Sequence, residues 1–492
     1  MPEHLDVVIV GAGISGISGA WHLQDRCPAK SYAILESRAD LGGTWDLFKY
    51  PGIRSDSDMY TLGFRFKPWT SQHAIADGPS IMAYLKETVA EFGIDKHIRY
   101  HHKVVAADWS DDENKWFLRI DRGGEETEIT CSFLFACSGY YSYDEGYSPE
   151  FLGSNDFQGT IVHPQHWPED LAYQGKKIVV IGSGATAVTL IPALANSGAG
   201  HVTMLQRSPT YILALPDIDP FAVKTMRMLP PKLAYVLNRW KSILLQSVQY
   251  RISRRFPNFM RKQLMKMAKR RLPEGYDVDK HFGPNYKPWD QRLCLVPNGD
   301  LFRAIRHGQA DVVTDTIDRF TKTGIRLSSG VELSADIIIT ATGLNVQLFG
   351  GATLMRNGVP LNLNDLMAYK GMMLTGLPNM AFTIGYTNAS WTLKADLVSE
   401  FVCRVINYMD AKGCDIVVPQ HPGDSVEERP LMDFTPGYIL RALDRLPKAG
   451  AKVPWRLRRN YLLDIGLIRH AKVNDQALRF SKHGAAVSAA SA

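Results

Sequence analysis

The feature that most constrains this 492-residue chain is a plan it follows twice. Leu5 to Val10 is a short run of β-branched type. It passes into Gly11-Ala12-Gly13-Ile14-Ser15-Gly16, then a helical pattern through Leu23, then a second apolar run, Tyr32 to Leu35, ending at Glu36. Ile178 to Ile181 repeats the plan with Gly182-Ser183-Gly184-Ala185-Thr186-Ala187, a helix through Leu194, and a run from His201 to Gln206 ending at Arg207. Gly11 to Glu36 and Gly182 to Arg207 each span 25 positions.

A strand, a G-x-G-x-x-G turn, a helix and a charged strand end together mark a dinucleotide-binding βαβ unit. The first glycine permits the tight turn, the second lets backbone approach the pyrophosphate, and the third lets helix pack on strand. The helix N-terminus offers unpaired N–H groups to the phosphates, and Glu36 offers acceptors to ribose hydroxyls. In the second unit Ala187 replaces the third glycine and Arg207 replaces the acid. A guanidinium binds a 2′-phosphate by charge-assisted hydrogen bonds where a carboxylate repels it, so this site is expected to take NADP(H). Two such sites imply a flavoprotein, with FAD in the first reduced by NADPH from the second. A disulfide reductase needs a cysteine pair after the first unit; GGTWDLFKYPGIRSD has none.

Each unit has a later strand closing on a small-residue turn: Phe133 to Cys137 before Ser138-Gly139, and Asp336 to Ile339 before Thr340-Ala341-Thr342-Gly343. Leu374 to Met409, with a long helix from about Leu393, returns to the first unit. The expected fold is α/β, with two Rossmann-like dinucleotide-binding domains, the NADP domain inserted in the FAD domain, plus a helical insert. The expected boundaries are 1–140 and 345–492 for FAD, 150–213 and 291–344 for NADP, and 214–290 for the insert.

The formal charge of +6 belongs to one segment, because residues 221–272 hold 14 Lys and Arg and no acid. Tyr235, Leu237, Trp240, Ile243, Leu244 and Val248 recur there at helical spacing. Either they pack over the active site and leave the charges outside, or the segment makes peripheral contact with an anionic membrane. No nucleic-acid motif is present. The six cysteines form no C-x-x-C pair and no metal site is expected. The acidic start, MPEHLDVVIV, is unlike a signal peptide. The uncharged stretch Ile178 to Gln206 is broken by glycines and Pro192, so a cytoplasmic chain is expected.

Two further strings carry a resemblance. Phe157-Gln158-Gly159-Thr160-Ile161-Val162-His163-Pro164-Gln165-His166-Trp167-Pro168 fits F-x-G-x-x-x-H-x-x-x-W-[P/D]; Gly42-Gly43-Thr44-Trp45 with Tyr50-Pro51-Gly52 and Asp56 fits [A/G]-G-x-W-x-x-x-x-[F/Y]-P-[G/M]-x-x-x-D. Through both, the chain up to about residue 470 resembles the Baeyer–Villiger monooxygenases. Runs such as YPGIRSDSDMYTLGFRF and GYTNASWTLKADLVSEF are similar to the ethionamide monooxygenase branch. The resemblance implies an NADPH- and O2-dependent enzyme. It would insert oxygen into ketones and oxidise sulfides or thioamides through a flavin C4a-peroxide.

Alternatives are an N-hydroxylating or flavin-containing monooxygenase acting on amines, against which Trp167 and Arg292 argue, and a non-catalytic redox-sensing flavoprotein. The resemblance further implies that Arg292 stabilises the anionic intermediates and that Asp56 orients it. It implies that Thr44, Trp45 and Asp46 line the flavin, that Ser15 touches the pyrophosphate, and that Val104 meets adenine. Ser183 to Thr189 and Ser208 would contact NADPH, with Arg54 toward the nicotinamide. His163 is expected to be structural. Gln291 stands where many relatives carry lysine, so the NADPH preference rests on Arg207. Arg207→Ala is expected to weaken NADPH by roughly 1.5–3 kcal/mol and NADH much less; equal losses in a binding titration would contradict the assignment.

Overall fold

Both strand–glycine–helix units form where the pattern places them. The first comprises Glu3–Val10, Ile14–Arg26 and Tyr32–Leu35; the second comprises Lys177–Ile181, Ala185–Asn196 and His201–Gln206. The structure, a computed structural model, describes residues 2–291, 293–432 and 436–482. Val7 to Ile9 and Ile178 to Val180 are buried, as continuous apolar strands are when helices cover both sheet faces.

The smaller sheet is entirely parallel, in the order Ala310–Thr314, His201–Gln206, Lys177–Ile181, Ile337–Thr340, Thr160–Val162. Strand order reverses beside Lys177–Ile181, and its glycine turn opens at that switch point, where open α/β sheets bind ligands. The larger sheet has nine strands. Ile98–Arg99, Tyr32–Leu35, Glu3–Val10 and Glu126–Ala136 adjoin Lys115–Asp121 and Lys103–Ser110. Thr353–Arg356, Val359–Pro360 and Met380–Phe382 return to it after the smaller sheet is complete. The long helix Trp391–Lys412 packs beside Ile14–Arg26.

The chain crosses between the sheets twice, and the crossings are strapped together. Tyr141–Gly146 pairs antiparallel with Leu344–Val346. His163 clamps the strap: its Nδ1 accepts from the Gln165 N–H at 3.2 Å, and its Nε2 reaches the Gly343 carbonyl at 3.3 Å. A Cβ on Gly146 would stand 2.0 Å from the His163 ring. The structural role expected for His163 has a geometric basis here.

The antiparallel strands Ile317–Thr321, Gly324–Leu327 and Glu332–Ser334 form a small sheet that no motif announced. The insert contains helices Pro220–Met228, Pro231–Arg255 and Pro257–Lys269, each opened by proline, whose missing N–H costs nothing in a first turn. Its expected packing is corrected. Only Tyr235 and Ile243 of the apolar set face inward. Leu237, Trp240, Leu244 and Val248 are 42%, 42%, 50% and 51% exposed.

The reason is the surface the helix meets, which is made of backbone carbonyls. Arg239 is buried and donates to the Tyr60 carbonyl at 2.9 Å and the Gly63 carbonyl at 2.7 Å. The Asn238 amide, also buried, donates to Thr225 Oγ1 at 2.8 Å. Two polar side chains therefore take inward positions, and four of the six apolar residues point out.

Burial holds the His163 imidazole below its ordinary 6.5; the Gly343 hydrogen bond opposes this and His166 adds to it. The folded state thus favours neutral His163. Its stabilisation is present above the unfolded value and is lost as pH falls from about 6.5 through the lower folded value. In thermal melts, His163→Gln is expected to show a shallower stability loss than the parent between about pH 7 and pH 5; identical slopes would contradict the clamp.

Candidate active site

The first glycine turn is shaped by backbone contact on two sides. Gly11 sits at φ +101°, and a Cβ there would stand 2.9 Å from the Cys137 carbonyl. A Cβ on Gly16 would stand 1.9 Å from the Gly11 carbonyl, so only glycine permits this helix-to-turn approach. Gly13 keeps its outer side bare, with Gly43 as the nearest neighbour at 3.7 Å. Glu36 is buried beneath the loop, where it accepts from the Ala12 N–H at 2.8 Å and the Arg38 N–H at 3.0 Å.

The second turn repeats this geometry. A Cβ on Gly182, at φ +130°, would meet the Ala341 carbonyl at 2.4 Å, whereas Gly184 faces open space. Both first glycines therefore abut the small-residue turn closing the later strand. Ala187 is buried at the third position. The Ser183 hydroxyl donates to the Ser208 carbonyl at 3.0 Å, so the glycine loop is tied to the segment that carries Arg207. Arg207 and Ser208 are exposed at the strand end, free to meet a charged ligand.

One cavity of about 510 Å³ joins the two units, within the size range of cofactor sites. Gly11, Gly13, Ser15, Glu36 and Val104 line it on one side, Thr44, Trp45, Arg54 and Asp56 on another, and Ala185, Thr186 and Thr189 on a third. Gly16 and Ala187 lie under their helices instead. Gly182, Ser183, Gly184, Arg207 and Ser208 form a separate outer rim. Asp46 is turned from the cavity and accepts from Arg38 at 2.6 Å and Lys49 at 3.2 Å. Burial raises its carboxyl, but those two cations outweigh burial and hold it below the ordinary carboxylate range. Arg292 lies outside the described residues. The bare glycines, helix N-termini and buried carboxylate of the first turn fit FAD, and the open second rim with Arg207 fits NADPH.

The string from Tyr50 to Asp56 ties the units together. Leu47, Phe48 and Tyr50 belong to the core of the second unit, among Ala187, Val188 and Ile191. Gly52, at φ +82°, lies against the helix Ala185–Asn196, where a Cβ would stand 2.6 Å from the Thr189 carbonyl. Arg54 pairs with Asp300 at 2.6 Å. Its guanidinium therefore lies at the cavity wall but is held by the second unit.

Outside the signature motifs, aromatic residues shape the cavity, among them Trp391, a candidate substrate wall from the sequence. Trp391 stacks on Tyr140 with ring centroids 5.3 Å apart, and its indole N–H donates to Ser15 Oγ at 2.7 Å. Tyr143 is beside Gly43, and burial pushes its phenol up to about 12 despite a hydrogen bond with Thr44, so it stays protonated. Their available signal was aromatic density in CSGYYSYDEGYSP and GYTNASW.

Comparison with known proteins agrees with this geometry. Residues 74–409 match the flavin-binding monooxygenase-like family and residues 9–87 an NAD(P)-binding Rossmann-like domain. The chain is 69% identical to the FAD-containing monooxygenase EthA of Mycolicibacterium smegmatis, across 100% of both chains. It is 48% identical to the probable FAD-binding monooxygenase AlmA of Acinetobacter baylyi, across 98% of this chain and 97% of that one. Among solved structures, an oxidised steroid monooxygenase bound to NADP superposes with a TM-score of 0.75, at 20% identity, over 97% of this chain and 100% of that one. The chain belongs to the flavin-binding monooxygenase-like family. Its fold is that of the Baeyer–Villiger monooxygenases, with two dinucleotide-binding domains.

Proposed function

We propose that this chain is an FAD-containing, NADPH- and oxygen-dependent monooxygenase that converts ketones to esters or lactones and oxidises sulfur in sulfides and thioamides. The observation that carries this reading is the shared cavity: the first glycine turn and the first turn of the second unit's helix line one space. Bound FAD supplies hydride acceptance from NADPH and activation of dioxygen for transfer of one oxygen atom. The first glycine turn binds its pyrophosphate, Glu36 its ribose, and the aromatic wall of Trp45, Tyr140 and Trp391 limits water. The proposed FAD-binding unit is 1–140 with 345–492, supported by the late strands that rejoin the larger sheet. Residues 150–213 with 291–344 are the proposed NADP-binding unit.

Arg292 is the proposed cation for developing negative charge, and Asp56, at the cavity wall, is its proposed orienting carboxylate. A fixed cation in a site without water contributes about 2.7–4 kcal/mol to such a step. Arg292→Ala is expected to retain FAD and consume NADPH yet give at least about a hundredfold less oxygenated product. Product mass from a panel of linear ketones, aryl ketones, sulfides and thioamides reads this out. Near-parental oxygenation by the variant would overturn the role, and N-oxygenated products from an added set of amines, with none from the ketones and sulfur compounds, would overturn the substrate class.

We also propose peripheral contact between segment 221–272 and an anionic membrane. Among the described residues no helix is long and apolar enough to cross one. Support comes from the outward stripe Leu233, Leu237, Trp240, Leu244, Val248 and Ile252, with Lys232, Arg251 and Arg255 exposed around it. Each cation near such a surface contributes about 1 kcal/mol. A second copy of the chain would instead bring like charge against like.

A further inference from the structure

The outward helix Pro231–Arg255 has another edge, and that edge reaches toward the cavity. Ile243, Ser247 and Tyr250 face Asn388, Ala389 and Leu393 across a seam that holds a void of about 20 Å³. Ala389 also lines the 510 Å³ cavity, so the seam and the candidate active site share a wall. Val248, next to Ser247 in sequence, stands in the exposed apolar stripe, and Ser247 itself is half-buried. The seam therefore lies between the apolar stripe and the wall of the reaction space.

We infer that this seam is a substrate port opening onto the bilayer surface, through which lipid-dissolved ketones and sulfides enter the cavity directly. The inference rests on the membrane contact proposed above. Its physical basis is concentration, since each methylene of an alkyl chain favours lipid over water by about fourfold. A port at the lipid surface draws on that concentrated pool without returning the substrate to water.

The seam is narrow, with buried Ile243 and Leu393 on opposite walls. Side chains at its middle are small, Ser247 and Ala389. Asn388 donates to the Arg459 carbonyl at 3.1 Å, and this is a bond that opening exchanges for water or substrate. Water-soluble substrates draw nothing from the lipid pool, so their supply is independent of the vesicles.

The test uses the full FAD-loaded chain with Ser247→Cys, capped by a bulky maleimide after folding so that the block cannot disturb assembly. Five of the native cysteines are buried, and the maleimide-treated parent controls for labelling elsewhere. Substrates are a long-chain methyl ketone and a short water-soluble one, with vesicles of mixed anionic and zwitterionic lipid or of zwitterionic lipid alone. Anionic vesicles are expected to pellet the enzyme reversibly with salt and to raise long-ketone turnover by roughly tenfold. Capping is expected to remove that gain while pelleting, flavin content and short-ketone turnover stay at parental values. Absence of pelleting, or a salt-insensitive dimer instead, would overturn the membrane contact and the port with it. Normal pelleting with undiminished long-ketone turnover after capping would overturn the port alone and leave the membrane contact standing.

Discussion

Much of this architecture depends on the close approach of Gly52 to the helix Ala185–Asn196. A side chain at Gly52 would run into the Thr189 carbonyl and the Ala193 methyl, both at 2.6 Å. The contact lets the segment Tyr50 to Asp56, which lies in the same unit as the first glycine turn, buttress the helix that forms the second. Arg54 and Asp300 add a tie whose side chains are each only 12% exposed, where water screens the charges weakly. Two nucleotide cradles in one chain need not cooperate; here the contact fixes both to one cavity.

The two signature strings acquire a common physical meaning in this light. In the first, Gly159 lies against the Asp336 carbonyl, His163 clamps the crossing strands, and Trp167 enters the core of the second unit. In the second, Gly43 approaches Tyr143 and Gly13, and Gly52 meets the second unit's helix. Their fixed residues set the relation between the domains as much as they touch ligands. That accounts for glycine, histidine and an aromatic recurring at rigid spacing in segments that belong to no long strand or helix.

The glycine turns and the strands and helices flanking them were legible because each is a local arrangement with one workable geometry. Gly11 and Gly182 sit as the motif demands, and the closing turns at Cys137 and Ala341 were visible as small-residue runs. Long-range pairs were not legible: nothing near Arg54 announces Asp300, and nothing near Ser15 announces Trp391. Asp46 illustrates the limit of transferring a motif, because its carboxylate is committed to Arg38 and Lys49. The helix Pro231–Arg255 reversed the usual inference from amphipathic spacing. Periodicity locates an apolar face but leaves its direction open, and here buried backbone carbonyls of Tyr60 and Gly63 hold Arg239 inward. The apolar face is turned outward as a consequence.

Reduction of bound FAD by NADPH is the reaction that the shared cavity would serve. Anaerobic rapid mixing of the FAD-loaded chain with NADPH, and with NADPH deuterated at the transferred position, measures that reaction. The expected result is bleaching of the flavin absorbance with one NADPH oxidised per FAD, slowed by deuterium. Flavin that stays oxidised, or that bleaches only through an added reductase, would contradict it.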